Sequence, residues 1–417
     1  MMYCSLFANM RGELYENKKF KMLGQTGTSW VEPEKEEMIP LPKGASIVAI
    51  PSFIPIGLVN DEISYYDINP ENPQEKITAV AALLPQGFTR TLLPACVSPN
   101  KNNRLPLFGY SAVGFKNDNI YVAAVKTDEH RKWHPVYYNT DGLPAKISKK
   151  LKKFPNNRIL RQLARCSLEY SCFTAQNIFY QRWEGGIPTM TSCNANCIGC
   201  ISESHTSSTS PQNRIDFIPE VEEVVDIGLE HLENAQEAII SFGQGCEGEP
   251  SLNAKKLSET IKIIRQNTNK GTINMNTNAG YTEGIKMLSD AGLDSIRVTV
   301  FSLNEKHYNI YHQPINYSFY DVEESIKYAL DSGLKVSINL LTFPGFTDRD
   351  EEIEFLLEFL NRYQIDMIQL RNLNIDANEL LQRFTADSDI LGIDNFINIL
   401  KKEMPDVKIG SYSHPVR

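Results

Sequence analysis

The most constraining feature of this sequence is a rhythm of strands and helices that begins near residue 186. Two of its helix-to-strand joints are near copies, Asp290-Ala-Gly-Leu-Asp-Ser-Ile and Asp331-Ser-Gly-Leu-Lys-Val-Ser. In each joint a glycine ends the helix and a strand follows at once. Repetition of this kind predicts parallel strands joined by right-handed helical crossovers, either in a doubly wound sheet or in a barrel.

The number of strand–helix units decides between these arrangements. We predict about six units, fewer than the eight that close a full barrel, so an open partial barrel fits best. The predicted fold class is therefore α/β. The predicted strands are 187–191, 238–242, 272–276, 295–300, 335–341 and 366–370.

The chain before residue 186 has a different character. Residues 1–142 read as short strands separated by turns, which predicts a β-rich N-terminal domain. Residues 143–185 read as a helical connector that is broken at Pro155. The predicted barrel then occupies 186–417, ending in one more helix and a strand.

Charge and composition limit the partners. The chain has 417 residues, 41% hydrophobic and 22% charged, with a formal net charge of -9, the profile of a globular protein with an ample core. The acidic balance argues against a nucleic-acid partner, since neutralising phosphates takes clustered Lys and Arg. The exception is a basic stretch over 149–161, which is typical either of a solvated helix face or of a local RNA-binding patch.

No segment reads as a targeting or membrane element. The N-terminus lacks a basic region followed by an apolar one, and no run approaches the roughly 18 apolar residues that span a bilayer. We therefore expect a cytoplasmic protein with no membrane partner. In that compartment, cysteines indicate metal or redox chemistry rather than disulfides.

Three of the eight cysteines lie in one short loop, Cys193-Asn-Ala-Asn-Cys197-Ile-Gly-Cys200. A structural zinc site would need a fourth ligand, for which His205 is the nearest downstream candidate. An iron–sulfur cubane is usually held by four thiolates, so three would leave one iron open for chemistry. The spacing favours the cluster, with zinc and three unrelated thiols as the alternatives.

The Cys-x3-Cys-x2-Cys spacing after the first strand of a strand–helix repeat resembles the signature of the radical SAM superfamily. The resemblance covers about residues 186–376. It implies a [4Fe–4S] cluster on the three cysteines, with S-adenosylmethionine bound at the open iron. It also implies reductive cleavage to a 5'-deoxyadenosyl radical, an unknown substrate, and a reducing partner such as flavodoxin or ferredoxin.

Later strand ends resemble further parts of the family pattern. After the second strand, Gly248, Glu249 and Pro250 are similar to the Gly-Gly-Glu-Pro stretch that holds the methionine amino group, with Glu247 as a candidate contributor and Gly245 in the same turn. A carboxylate beside such an exposed turn can receive an ammonium group.

Two further strands continue the pattern. Asn276 and Asn278 resemble the family's Thr-Asn-Gly turn near the ribose, and Thr299 lies in a stretch similar to its Arg-Val-Ser/Thr pattern at the methionine carboxylate. One position departs from the family, because Gly199 stands where an aromatic residue usually contacts the adenine.

Other cysteines leave open alternatives. Cys246, inside the glycine-rich stretch, is either a hydrogen-atom donor, an extra ligand or a small buried thiol. Cys166 and Cys172, six apart on a predicted helix, could hold an auxiliary cluster with Cys4 or Cys96, although no ligand motif supports it.

The sequence identifies no catalytic residue beyond the cofactor contacts. The leading hypothesis is radical modification of a protein, a peptide or a small metabolite. The alternatives are an RNA-modifying radical enzyme and a non-catalytic iron–sulfur protein that transfers electrons.

Overall fold

The computed structural model describes residues 3–100, 103–105, 107–129, 131–205, 210–384 and 388–417. The chain divides into two compact units that interleave in sequence. The sequence instead predicts segments that follow one another along the chain, with boundaries at 142 and 185. That division into domains stays a prediction. The first unit comprises Met1–His130, Thr342–Leu357 and Leu370–Pro405, and the second comprises Arg131–Leu341, Glu358–Gln369 and Asp406–Arg417.

The N-terminal part of the first unit is built from antiparallel strands. The strands are β1 (Cys4–Asn9), β2 (Leu14–Met22), β3 (Gly24–Thr26), β4 (Ser29–Val31), β5 (Met38–Pro40), β6 (Ser46–Ile50), β7 (Ile54–Val59), β8 (Glu62–Tyr65), β9 (Ile68–Asn69), β10 (Asn72–Leu83), β11 (Phe88–Arg90), β12 (Leu93–Pro94), β13 (Cys96–Val97), β14 (Tyr110–Ser111), β15 (Val113–Lys116) and β16 (Asn119–Lys126). Strand β1 pairs with β2, β10 and β15, and all three pairings are antiparallel.

Alternating side chains give this sheet its core. Leu6 and Ala8 of β1 pack with Val80 and Ala82 of β10 and with Val122 of β16. Residues two apart on a strand lie on the same face, so these positions bury one continuous apolar face. The predicted β-rich N-terminal region is therefore confirmed.

Three helices follow: α1 (Leu143–Lys153), α2 (Arg158–Glu169) and α3 (Phe173–Tyr180). Asn157 caps α2, accepting a hydrogen bond from Leu160 N at 3.1 Å. The prediction that Cys166 and Cys172 share a helix is wrong, because α2 ends at Glu169 and Cys172 stands at the N-cap of α3. Ser171, with a φ of 50°, reverses the chain between them.

The remaining strands form one sheet in chain order, which confirms the α/β partial barrel. They are β17 (Arg182–Gly186), β18 (Gln236–Phe242), β19 (Thr272–Thr277), β20 (Ser295–Val300), β21 (Lys335–Thr342), β22 (Met367–Asn372) and β23 (Lys408–Gly410). Neighbouring strands are parallel from β17 to β21, and β22 is parallel to β23.

Helices alternate with these strands. They are α4 (Val221–Asn234), α5 (Ala254–Asn267), α6 (Thr282–Ala291), α7 (Glu305–His312), α8 (Phe319–Asp331), α9 (Asp350–Arg362), α10 (Ala377–Leu381) and α11 (Ile393–Glu403). Among the described helices, none combines the length and the apolarity that crossing a bilayer requires.

The predicted first strand over 187–191 is wrong. The strand is β17, Arg182–Gly186, and pairing with β18 ends at Ile187, whose N–H donates to Ser241 O at 3.0 Å. Pro188 has no N–H to continue the ladder. The first strand therefore lies inside the predicted connector, and its two glycines hid it from the apolar pattern.

Strand β20 shows how the sheet divides its side chains. Ile296, Val298 and Val300 are fully buried on one face. Arg297 and Thr299 lie on the other face, where they meet polar side chains from other strands. The inner face of the partial barrel is therefore polar.

Candidate functional site

The three loop cysteines lie on the irregular chain between β17 and α4, and their thiols are partly buried. Burial raises the pKa of Cys193 to about 12, with further contributions from Glu249 and Cys200. Burial also raises the pKa of Cys197 well above its usual range, and the other two thiols add to it. The three sulfur atoms therefore share one electrostatic environment.

A zinc site in the loop would need a fourth ligand beside the three thiolates. Thiolates around one zinc, with Zn–S bonds of about 2.3 Å, must lie within about 4 Å of one another. In the part of the chain that the structure describes, no three His, Cys, Asp or Glu side chains are arranged around a single ion. His205, the candidate fourth ligand, lies 3.4 Å from Glu203 Oε2 instead. The thiolates of a cubane lie farther apart than those around one zinc ion, because each binds a different iron.

Main-chain hydrogen bonds join the cysteine loop to the glycine-rich turn after β18. Gly248 N–H donates to Met190 O at 2.8 Å, and Glu249 N–H donates to Ser192 O at 2.9 Å. A Cβ at position 248 would stand 1.9 Å from Ser192 O, so only glycine permits this approach. The predicted metal ligands and the predicted cofactor turn are thus parts of one structure.

The end of α7 holds the other side of the loop. Asn196 N–H donates to His312 O at 3.1 Å, and Ile198 N–H donates to Tyr311 O at 3.1 Å. Ala195 forms an isolated antiparallel bridge with Pro314. The loop is therefore fastened on both sides by main-chain hydrogen bonds.

Glu249 is buried where three segments meet. Its carboxylate accepts from Ser251 N at 3.0 Å, from Thr277 Oγ1 at 2.6 Å and from Asn278 N at 2.8 Å. Burial raises the pKa of Glu249 despite these three donors. A cation brought beside this carboxylate would therefore stabilise its charged form.

Glu247 is buried, and both oxygens of its carboxylate accept hydrogen bonds. One oxygen accepts from Thr189 N at 2.7 Å, Thr189 Oγ1 at 3.0 Å and Met190 N at 3.2 Å. The other accepts from Gly243 N at 2.5 Å and Gln244 N at 3.0 Å. Burial raises its pKa to about 7. These five bonds clamp the start of the cysteine loop to the turn, and the predicted cofactor contact of Glu247 stays a prediction.

The turn after β19 contributes two asparagines. Asn278 Nδ2 donates to Asn194 Oδ1 in the cysteine loop at 2.7 Å. Asn276 Nδ2 donates to Gly243 O at 3.2 Å, which ties β19 to the glycine-rich turn. Gly245 lies against Gln212, where a Cβ would stand 2.9 Å from Oε1. Their predicted cofactor contacts stay predictions.

The inner face of β20 carries a polar cluster. Arg297 Nη1 donates to Gln369 Oε1 and to Ser413 Oγ, each at 3.0 Å, and Nη2 lies 3.7 Å from Glu184 Oε1. Burial lowers the pKa of Arg297.

Thr299 Oγ1, on the same face of β20, accepts from Asn339 Nδ2 at 3.0 Å. Among the described residues, Arg297 Nε and Asn339 Oδ1 are buried without a hydrogen-bond partner. Two polar atoms on the inner face thus remain for a ligand.

The other cysteines do not join the loop. The Cys246 thiol pairs with the Cys166 thiol, which raises the pKa of Cys246 well above its usual range. Cys172 contributes to the same shift, and its Sγ lies 3.3 Å from Thr174 Oγ1. No auxiliary metal set is formed among the described residues.

The basic stretch over 149–161 is paired with acidic residues of α4. Lys150 is buried, donates to Ile178 O at 2.8 Å and lies 3.2 Å from Glu230. Lys153 also contacts Glu230, at 3.0 Å. Arg158 binds Glu223 at 2.6 Å. Three basic residues of the stretch therefore have acidic partners, whereas Lys149, Lys152 and Arg161 are exposed.

Sequence reasoning missed the contribution of α7. His312 Nδ1 lies 3.3 Å from Cys197 Sγ, although 115 positions separate the two residues. Burial raises the pKa of Tyr308 and of Tyr317, whose hydroxyls lie 3.0 Å apart, and Cys197 and Glu249 add to both shifts. No motif in the sequence marks these residues, and only the fold brings them to the loop.

Comparison with known proteins identifies the domain. Residues 187–360 match the family model described as the Radical SAM superfamily. GTP 3',8-cyclase of Aquifex aeolicus (strain VF5) is 28% identical over 214 residues, which cover 51% of this chain and 62% of that protein. GTP 3',8-cyclase of Campylobacter curvus (strain 525.92) is 28% identical over 214 residues, 51% of this chain and 60% of that one. This chain thus matches less than two thirds of either relative.

Solved structures give weaker likenesses. A radical SAM methyltransferase from Sphaerobacter thermophilus has a TM-score of 0.40 and 16% identity, covering 54% of this chain and 65% of that one. Methylornithine synthase has a TM-score of 0.39 and 14% identity, covering 56% and 66%.

The family model matches the region in which the cysteine loop, the glycine-rich turn and the polar strand were found. Residues 187–360 thus form a radical SAM domain, and enzymes of that superfamily use a [4Fe–4S] cluster and S-adenosylmethionine and need a reductant and a substrate.

Proposed function

We propose that this chain cleaves S-adenosylmethionine reductively with a [4Fe–4S] cluster held by Cys193, Cys197 and Cys200. The observation that carries the proposal is the pairing of Met190 and Ser192 with Gly248 and Glu249. It fixes the three thiols and the Glu249 carboxylate in one built site, as a cluster and a chelating cofactor would require.

The residues present fit this pair of cofactors. Three thiols without a fourth leave one iron for another ligand, and Cys246 is engaged with Cys166 rather than with the loop. When bound, the cluster supplies an electron, and cleavage of the sulfonium cofactor supplies methionine and a 5'-deoxyadenosyl radical that takes hydrogen from the substrate.

The tasks of the protein are binding and orientation. Glu249 offers a buried carboxylate for the amino group of the cofactor. Asn276, Asn278 and Gly248 shape the wall that faces it, and Gly245 leaves room in the turn. Thr299, with the unpartnered Nε of Arg297, offers hydrogen bonds to a carboxylate.

The substrate class that we propose is a protein, a peptide or a small metabolite. The two relatives are named for action on GTP, so GTP is the first small metabolite to test. We further propose a cytoplasmic location and a flavodoxin or ferredoxin as reductant. The pairing of Lys150, Lys153 and Arg158 with acidic residues argues against the RNA-modifying alternative.

A non-catalytic electron-transfer protein would not need polar atoms on the inner face of the sheet that are left to bind a ligand. Arg297 Nε and Asn339 Oδ1, buried without partners in the described part of the chain, favour a ligand-binding barrel. A buried polar atom without a partner costs about 1 to 3 kcal/mol, which a bound ligand would offset.

The test is an anaerobic assay of 5'-deoxyadenosine. The protein is reconstituted with iron and sulfide, reduced with dithionite, and given S-adenosylmethionine. We expect cleavage by the parent and by Cys4→Ala, whose thiol lies on β1 outside the loop. We expect none from Cys197→Ala.

Electron paramagnetic resonance extends the test to a substrate-gated enzyme, which would cleave little cofactor alone. We expect S-adenosylmethionine to change the spectrum of the reduced cluster in the parent. A reduced cluster whose spectrum does not respond, together with an absence of cleavage, would contradict the proposal and leave the electron-transfer alternative.

A further inference from the structure

His312 ends α7 with its ring buried against the cysteine loop, only 1% exposed. Its two ring nitrogens have different partners. The backbone N–H of Phe301 donates to Nε2 at 3.1 Å, and Cys197 Sγ lies 3.3 Å from Nδ1. Each nitrogen therefore has a defined contact.

These contacts fix the tautomer of the ring. A backbone N–H can only donate, so Nε2 must be the nitrogen without a proton. In a neutral imidazole the other nitrogen then carries the hydrogen. The Nδ1–H of His312 is therefore directed at the sulfur of Cys197.

The plane of the ring is fixed by its neighbours. Tyr308 stacks on His312 with ring centroids 4.3 Å apart and an interplanar angle of 25°. Tyr311 packs edge-on, with centroids 4.9 Å apart. The imidazole is thus held between aromatic rings, and the direction of its N–H is preset.

We infer that His312 is a positioning residue that donates Nδ1–H to the sulfur of Cys197 and raises the reduction potential of the cluster. This inference rests on the proposed function. A thiolate ligand has no proton of its own, so toward it the ring nitrogen can only donate. Reduction places more negative charge on the cluster and its sulfur ligands, so an N–H dipole directed at one of them stabilises the reduced form.

The donor acts on one ligand of the three. Cys200 Sγ has a hydroxyl neighbour, Ser202 Oγ at 3.4 Å, which rotates and can donate or accept. His205 lies against Glu203 rather than a thiol. The backbone N–H of Ala195 also bonds to the Cys193 thiol. Within the described residues, the side-chain ring N–H directed at a loop sulfur is that of His312.

Two variants of His312 separate its two hydrogen bonds. In His312→Gln, the side-chain oxygen can still accept from Phe301 N–H, whereas the position of Nδ1 loses its donor. In His312→Asn, the amide nitrogen stands near the place of Nδ1 and keeps a donor toward Cys197, whereas the Phe301 contact is lost. His231→Gln is the matched control, since His231 is a buried histidine of the same unit that contacts Trp183 O.

The measurement is the midpoint potential of the reconstituted cluster, followed by electron paramagnetic resonance in a redox titration without S-adenosylmethionine. We expect His312→Gln to make the reduction equilibrium about tenfold less favourable, which is about 59 mV for a one-electron couple. We expect His312→Asn to retain most of the parent potential and His231→Gln to retain all of it.

Two results would overturn the inference while leaving the proposed function in place. One is a cluster in His312→Gln with the parent potential. The other is an equal shift in His312→Gln and His312→Asn, which would assign the effect to packing. A parent protein that assembles no reducible cluster would instead refute the proposed function, and the inference with it.

Discussion

The two compact units bury a guanidinium in different ways. In the first unit, Arg90 donates to the main-chain carbonyls of Tyr110 and Leu373, and Asn372 bonds to the main chain of Arg90 and Phe88. The cavity beside Arg90 has a volume of about 30 Å³, room for one water molecule. Arg90 therefore fastens segments of the fold together.

Arg297 in the second unit has side-chain partners instead. Gln369, Ser413 and Glu184 come from separate segments, and each can reorient. Asn339, nearby on β21, keeps a buried oxygen without a partner in the described residues. Both guanidiniums keep a buried Nε without a hydrogen-bond partner in the described residues, so the difference lies in the partners that they do have. Main-chain carbonyls hold Arg90 as part of the architecture, whereas side chains that can reorient hold Arg297, as a surface that receives a ligand needs.

The largest effect should come from closing the approach between the turn and the cysteine loop. Gly248→Ala would place a methyl group 1.9 Å from Ser192 O. Neither the new Cβ nor the main-chain carbonyl can move away by a side-chain rotation. We expect a loss of about 3 kcal/mol in unfolding free energy and failure to load iron. Gly142→Ala, with a φ of -77° and open space around the site, is the control. Normal iron content in Gly248→Ala would contradict the built site.

Acidification should change the unfolding free energy in opposite directions through one residue in each unit. Burial raises the pKa of Glu37, in the first unit, to about 7, so its folded form gains a proton and stability as pH falls from 7.5 to 5. Burial lowers the pKa of His231, in the second unit, to about 4, so its unfolded form gains the proton first and stability is lost below about 6.5. Each effect amounts to about 2 kcal/mol at pH 5.

Denaturant titrations of the parent, Glu37→Gln and His231→Gln at pH 7.5 and pH 5 measure this contrast. Relative to the parent, Glu37→Gln should lose stability on acidification, and His231→Gln should gain it. Changes of the same sign in both variants would break the comparison.

The two polar arrangements should also respond differently to truncation. Arg90→Met leaves two buried carbonyls without donors, and we expect a loss of about 2 kcal/mol in unfolding free energy with cofactor binding intact. Asn339→Ala should cost under about 1 kcal/mol but weaken S-adenosylmethionine cleavage, since it removes a polar atom that we propose contacts a ligand. Calorimetry and the deoxyadenosine assay separate these effects. Unchanged cleavage in Asn339→Ala would count against the receptive inner face.

The smallest effect concerns the basic stretch. Lys153 is largely exposed, and its contact with Glu230 should contribute at most about 0.5 kcal/mol. We expect Lys153→Ala to leave both the unfolding free energy and retention on an RNA column at low salt unchanged. A fall in RNA retention would revive the RNA-modifying alternative.

Regular periodicity explains what the sequence could predict. The predicted bounds of β20, 295–300, are those observed. The strands predicted at 238–242, 272–276 and 335–341 agree with the observed bounds within about two residues, because parallel buried strands have strong apolar patterns. Strand β17 escaped, since Arg-Trp-Glu-Gly-Gly has no such pattern and is recognised only by its pairing with β18.

Site residues divide along the same line. The cysteines and the Glu249 turn were visible because their spacing is local. The five donors to Glu247 come partly from Thr189 and Met190, 57 or 58 positions away, so its role as a clamp could not be read from its place beside Glu249. His312 reaches Cys197 only through the packing of α7, which no local pattern encodes.

The clamp between residues 189–192 and the turn over 243–249 also sets an order of assembly. Strand β18 must already lie beside β17 before Gly248 and Glu249 can meet Met190 and Ser192. In a chain that is still being synthesised, the three thiols would lie on an unfolded segment that can bind other metal ions. Iron and sulfide that arrive after the sheet has formed would meet a binding site that is already folded. We therefore expect cluster assembly to follow the folding of this protein.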